Sequence, residues 1–91
     1  MARGARLKPS RLAEKLVELR TALGLSQNEL IRELQADLTQ NRISEYETGK
    51  GEPPLTILLS YARLAGICVE VLIDDGLDLP AKLPAKPKHK V

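Results

Sequence analysis

Between Ser26 and Gly49 the chain runs SQNELIRELQADLTQNRISEYETG, and its apolar positions fall into two short helical stripes laid end to end. Leu30, Ile31 and Leu34 recur at near-helical spacing, with Gln27, Asn28, Arg32 and Glu33 turned elsewhere, the pattern of a helix that buries one face. Ser26 with Glu29 three residues later is a capping-box pair, so this helix should begin there. The stripe breaks across Gln35, Ala36 and Asp37. Thr39 then suits a second N-cap, Ile43 and Tyr46 form the next buried pair, and Gly49 supplies a left-handed stop. Upstream, Leu12, Leu16, Leu19 and Leu23 form a stripe after Ser10 and before Gly24. Downstream, Leu55, Leu58, Leu59 and Ala62 form another, entered through Pro53 and Pro54. No segment alternates convincingly as a strand, although the β-branched residues of VEVLI would by themselves permit one.

The polar side of the second short helix carries the chemistry. Gln40, Asn41, Ser44 and Glu45 lie away from Ile43 and Tyr46 and are nearly all hydrogen-bonding groups. Gln and Asn pair bidentately with adenine in the major groove, which is about 12 Å wide and accepts a helix. Residues at the helix N-terminus would reach deepest. Polar residues at an isolated helix start are ordinarily just solvated, so it is the surrounding pattern that favours base reading.

That pattern is LRTALGLSQNEL, the RISEYETGK run, Pro53, the LLSYARLAG helix and a closing VEVLI segment. In this order and spacing it resembles the XRE-type, or phage-repressor and Cro-like, family of helix-turn-helix DNA-binding domains from about Leu12 to Ile73. The resemblance implies an all-α, compact five-helix, lambda-repressor-like domain with flexible basic termini, and VEVLI as its last helix. It also implies a third helix in the major groove and a homodimer on a pseudo-palindrome of double-stranded DNA. Residues matching Arg20 and Glu47 form a buried ion pair in that family, joining the first helix to the recognition helix, which makes Glu47 a structural residue and not a base contact. Arg42 and Lys50 are the expected phosphate contacts, with Gln27 reaching a backbone oxygen from the start of the preceding helix. Such contacts orient the protein, while Gln40, Asn41, Ser44 and Glu45 set sequence preference. Glu45 suits acceptance from cytosine N4, or rejection of phosphate.

The chain departs from the family where the two helices meet. Gln35 stands where the usual turn carries Gly, QADL lengthens the connection by about two residues, and Ile31 replaces a small Ala. A branched side chain would crowd a closely crossing helix, and a longer turn would let the helices part, so these changes read as compensating.

Length and composition agree with one small domain: 91 residues enclose a single modest core, and with no Phe or Trp and only Tyr46 and Tyr61 as aromatics, that core is aliphatic. The organisation expected is a basic arm at 1–9, the helix-turn-helix domain at 10–75 and a Pro/Lys-rich tail at 76–91. The net charge of +2 conceals a polar distribution. From Leu12 to Leu79 six basic residues face all twelve acids, a balance of −6, while each end carries four cations. Phosphate attraction must then come largely from the arms and from the few cations near the recognition helix. The N-terminal arm suits a backbone or minor-groove contact as well as it suits a solubilising terminus. The tail from Pro80 lacks a burial pattern and should stay extended. Ile57, Leu64, Ile67 and Val71 offer more apolar surface than one packed stripe needs, and are candidates for a twofold interface unless the tail covers them.

No enzyme, cofactor or metal site is expected, because His89 lies in the tail and Cys68, at a probable helix start, has neither a His nor a second Cys near it. The lack of a secretory or membrane-spanning run suggests a cytoplasmic protein, nucleoid-associated if bacterial. The reading is therefore a DNA-binding transcription regulator, specifically a repressor occupying a promoter as a homodimer. The alternative is an antitoxin-like or adaptor protein whose tail binds a protein partner.

Overall fold

The computed structural model describes residues 9–84, and these form five helices. They are α1 (Leu12–Ala22), α2 (Gln27–Leu34), α3 (Gln40–Thr48), α4 (Leu55–Ala65) and α5 (Val69–Ile73), with no strand among the described residues. Residues 1–8 and 85–91 lie outside them, and with them fall most of the expected basic arm and the end of the tail, His89 included.

Local signals start and stop the central pair. Ser26 Oγ accepts from the Glu29 N–H at 3.1 Å and Glu29 Oε1 accepts from the Ser26 N–H at 2.8 Å, so two of the free donors at the start of α2 are satisfied reciprocally. Thr39 Oγ1 accepts from the Arg42 N–H at 3.2 Å and caps α3, which Gly49 ends at φ 81°. Between them Gln35 adopts the left-handed conformation at φ 54°, its N–H shared between the carbonyls of Ile31 and Arg32. A residue with a Cβ pays roughly 1–2 kcal/mol for that conformation. The longer turn is not a solvated excursion, since Ala36 and Leu38 pack against the core beside Ile31.

The core forms where the stripes meet. Leu16, Leu19, Leu23, Leu30, Ile43, Tyr61 and Leu72 are fully buried, each side chain contributing about 1.5–3 kcal/mol relative to exposure where it is aliphatic. In this arrangement α3 packs on α1 and α2, α4 on α2 and α5, and α5 closes back on α1.

Two expectations about α4 and α5 are corrected. Its buried positions are Leu58, Tyr61, Ala62 and Ala65, whereas Leu55 is 72 % exposed and Leu59 38 %. Leu55 sits in the uncapped first turn, and Leu59 lies about 100° around the helix from Leu58, off the stripe. Conversely Ile57, Leu64 and Ile67, expected as spare apolar surface, pack half-buried against the core, and Val71 is half-buried too. The tail also begins differently from its composition: Leu79 and Leu83 are half-buried against the core without forming a helix.

The closure of α5 onto α1 is polar. Lys15, on an otherwise apolar face of α1, is fully buried, and its Nζ donates to the carbonyls of Val71 at 2.8 Å and Asp74 at 2.9 Å. Those carbonyls belong to the end of α5, where no helical partner remains, so the lysine acts as its cap. Just before the start of α1, beside Lys15, the Asp75 carboxylate accepts from the Ser10 N–H and hydroxyl and from the Arg11 N–H at 2.8–3.1 Å. Arg11 adds bonds to the Asp75 carbonyl and the Asp78 carboxylate.

Candidate nucleic-acid interface

The start of α3 exposes Gln40, Asn41 and Arg42, while Ser44 one turn later is half-buried and Glu45 again exposed. This follows from burial of Ile43 and Tyr46 on the opposite side, which turns positions 40, 41, 44 and 45 outward together. The structure therefore brings all four to one side of α3, with Gln40, Asn41 and Glu45 exposed and Ser44 half-buried among them.

Behind them lies the Arg20–Glu47 pair. Arg20 Nε and a terminal guanidinium nitrogen donate to the two oxygens of Glu47 at 2.7 and 3.1 Å, and the remaining fork donates to the Leu25 carbonyl at 2.9 Å. The side chains keep 20 % and 6 % of their exposure. The bond to Glu47 holds the guanidinium's pKa above its ordinary value against the opposing effect of burial. Tyr61 sits against the same charges, with its hydroxyl buried and unpartnered among the described residues; burial chiefly, then Glu47, push its pKa up.

Gln27 joins this pair to that side of α3. Its Nε2 donates to Glu47 Oε1 at 3.1 Å, and its Oε1 accepts from Gln40 Nε2 at 3.1 Å and from Ser44 Oγ at 3.3 Å. The route runs from α1 through the inner side of α3 to the first residue of α2 and back to the outer side of α3. This hub role was not legible in the sequence, because its bonds span 13 to 20 residues between helices. The only sequence signal was an amide at the first position of α2.

The remaining cations stand around this centre. Arg42 lies 3.5 Å from Glu45, so each offsets part of the other's charge at the surface. Lys50 is exposed just past the end of α3, where the N–H groups of Lys50 and Gly51 both donate to the Glu45 carbonyl and fold the chain back. Gly51 allows that approach: a Cβ there would lie 3.2 Å from Glu45 Cβ. Gln40 and Thr48, the two ends of α3, are thus about 12 Å apart along its axis at 1.5 Å per residue, with Lys50 just past the second.

A helix-turn-helix family profile matches residues 16–68, more than half of the chain, from the middle of α1 to the residue before α5. The chain belongs to the XRE-type helix-turn-helix family. Its five-helix, all-α fold is the one that family implies. No curated protein matches it. Membership makes this XRE-type chain a DNA-binding regulator by class, in a family that is generally non-enzymatic. No helix among its described residues is long and apolar enough to cross a membrane.

Proposed function

We propose that this XRE-type domain is a sequence-specific transcription repressor that occupies its promoter as a homodimer, with α3 of each copy in the major groove. In this reading Gln40, Asn41, Ser44 and Glu45 meet base edges, and Gln27, Arg42 and Lys50 meet phosphates. Repression is steric: the dimer covers sequence that the transcription machinery needs.

The observation that carries the reading is the hydrogen-bond capacity left in the Gln27–Gln40 pair. A carboxamide has two N–H donors and an oxygen with two lone pairs. Gln40 gives one N–H to Gln27 and keeps the other, together with its oxygen, which is the donor and acceptor set that adenine N7 and N6 require. Gln27 gives one N–H to Glu47 and fills its oxygen with Gln40 and Ser44, leaving one N–H for a phosphate oxygen. The network thus fixes the orientation of Gln40 without consuming what base reading needs, and less side-chain freedom is lost on binding. Arg42 and Lys50 then give charge at either end of α3, in a domain whose acids otherwise oppose DNA.

Selection of bound duplexes from a random pool tests this function. A pseudo-palindrome with half-sites about one helical turn apart is the expected result. Binding that is uniform across sequences and vanishes at moderate salt would refute it.

A further inference from the structure

We propose that the segment from Asp75 to Leu83 is a strap that delivers the lysines after it to DNA phosphates beside those met by Gln27. The inference rests on the DNA-binding reading and adds to it a second contact that carries no base preference. Its evidence is the path of the strap. At one end the Asp75 carboxylate accepts from the N–H groups of Ser10 and Arg11, and the Arg11 guanidinium donates to the Leu77 carbonyl at 3.4 Å and the Asp78 carboxylate at 2.6 Å, all just before α1. At the other end Leu79, Pro80, Ala81 and Leu83 line one cavity with Glu18 and Ala22, in the last two turns of α1. The strap therefore runs beside α1 in the direction of that helix. Charge pins its start, and Leu79 and Leu83, half-buried against the core, pin its end.

The point of exit sets what the following residues meet. Leu83 stands by Ala22, from which five residue steps, at most about 18 Å, lead through the α1–α2 turn to Gln27. Lys86, Lys88 and Lys90 follow Leu83 by three, five and seven steps, so the second and third can cover that distance and the first most of it. The turn offers them no counter-ion: Ala22 to Asn28 carries no charge, and Glu29, the next acid, accepts from the Ser26 N–H in the capping box. Glu18 lies along the strap and not beyond its exit.

Composition separates phosphate from a protein surface as the partner. Residues 84–91 hold three lysines and no acid, and Val91 is their one large aliphatic side chain. That set matches a duplex bearing one negative charge per about 1.7 Å of axis, and lacks the Trp, Tyr or Arg anchors that carry most protein interfaces. Docking the strap on α1 raises the effective concentration of the lysines at the phosphates.

Binding of the selected duplex across a salt series tests the strap. Replacing Lys86, Lys88 and Lys90 together by Gln should lower the slope of log K against log salt by about 2 to 3 per bound copy, at about 0.9 per phosphate contact. Affinity at about 0.1 M salt should fall at least tenfold, with base preference unchanged at every position. Leu79→Ser with Leu83→Ser keeps all three lysines and should still lose roughly threefold or more, because the tether is gone. If circular dichroism shows that this variant unfolds, a Gly-Ser spacer of about 20 residues between Leu83 and Pro84 replaces it, with the same loss expected. A slope unchanged by the three glutamines overturns the proposal and gives the tail to a protein partner. Full affinity in the folded strap variant, or in the spacer variant, overturns it as well, since the lysines then act without the strap. Selective binding with an unchanged slope refutes the strap alone, whereas a wild type that selects no duplex refutes the DNA reading and the strap with it.

Discussion

The side-chain amide of Gln40 donates to the side-chain oxygen of Gln27 over 3.1 Å, coupling the exposed start of α3 to the first residue of α2. Because Gln27 also donates to Glu47, the orientation of an exposed amide is set by a buried ion pair.

Gln27 and Gln40 should therefore act as a unit on DNA. Gln27→Ala removes the proposed phosphate donor and frees Gln40, and the two alanine variants should be non-additive by at least about 0.5 kcal/mol in a double-mutant cycle on the selected site. Fluorescence anisotropy with the wild type, both singles and the double measures this. Simple additivity would mean that the bond contributes nothing to recognition.

Breaking the ion pair should unfold the protein before it abolishes contacts. Glu47→Gln leaves the Arg20 guanidinium desolvated and short of a counter-charge, a loss of about 3 kcal/mol, the low end of the usual range because Arg20 keeps a fifth of its side chain exposed. For a domain of this size that lowers Tm by well over 10 °C, at about 4–8 °C per kcal/mol. Thermal unfolding followed by circular dichroism reads it.

Gln35→Gly should stabilise. Gln35 is the one non-glycine residue with positive φ among the described residues, and glycine relieves the Cβ clash while giving back some chain entropy in the unfolded state. A net gain of about 0.5–1 kcal/mol, seen as a higher urea midpoint at unchanged slope, is expected. A loss would show that the glutamine side chain holds the turn.

The clasp at Asp75 should fail in acid. The Ser10 N–H and hydroxyl and the Arg11 N–H hold the Asp75 pKa below the ordinary carboxylate value. A depressed folded pKa gives stability that is present above about pH 4 and lost as the pH falls through the folded value. Asp75→Asn should thus lower the urea midpoint at pH 6 and flatten its decline between pH 4 and 2. Parallel declines would show that Asp75 does not link folding to protons.

What sequence reading recovered, and what it missed, divides by range. Ser26 with Glu29 and Thr39 with Arg42 interact within one turn, so their caps follow from adjacent residue types. The leucines of α1 follow from 3.6-residue spacing, since both their helix and their burial are periodic. Periodicity does not say which flank of a mostly apolar helix meets the core, and on α4 it grouped Leu55 and Leu59 with Leu58 although tertiary packing selected Tyr61 and Ala65. The roles of Lys15 and Asp75 were not legible, because their partners lie 56 to 65 residues away in the chain. At the candidate interface the exposed residues were legible from the helix face, but the Gln27 bonds that orient them were not.

Base reading by Gln40 is the central claim, and its most direct test is the affinity of wild type and Gln40→Ala for the selected duplex and for every single-base-pair variant of one half-site, at one fixed salt concentration. Wild type should lose about tenfold or more when one particular A·T pair is changed, and the variant should be indifferent at that pair alone while discriminating normally elsewhere. A variant that weakens equally on all duplexes, or keeps the wild-type preference at every position, would contradict the account.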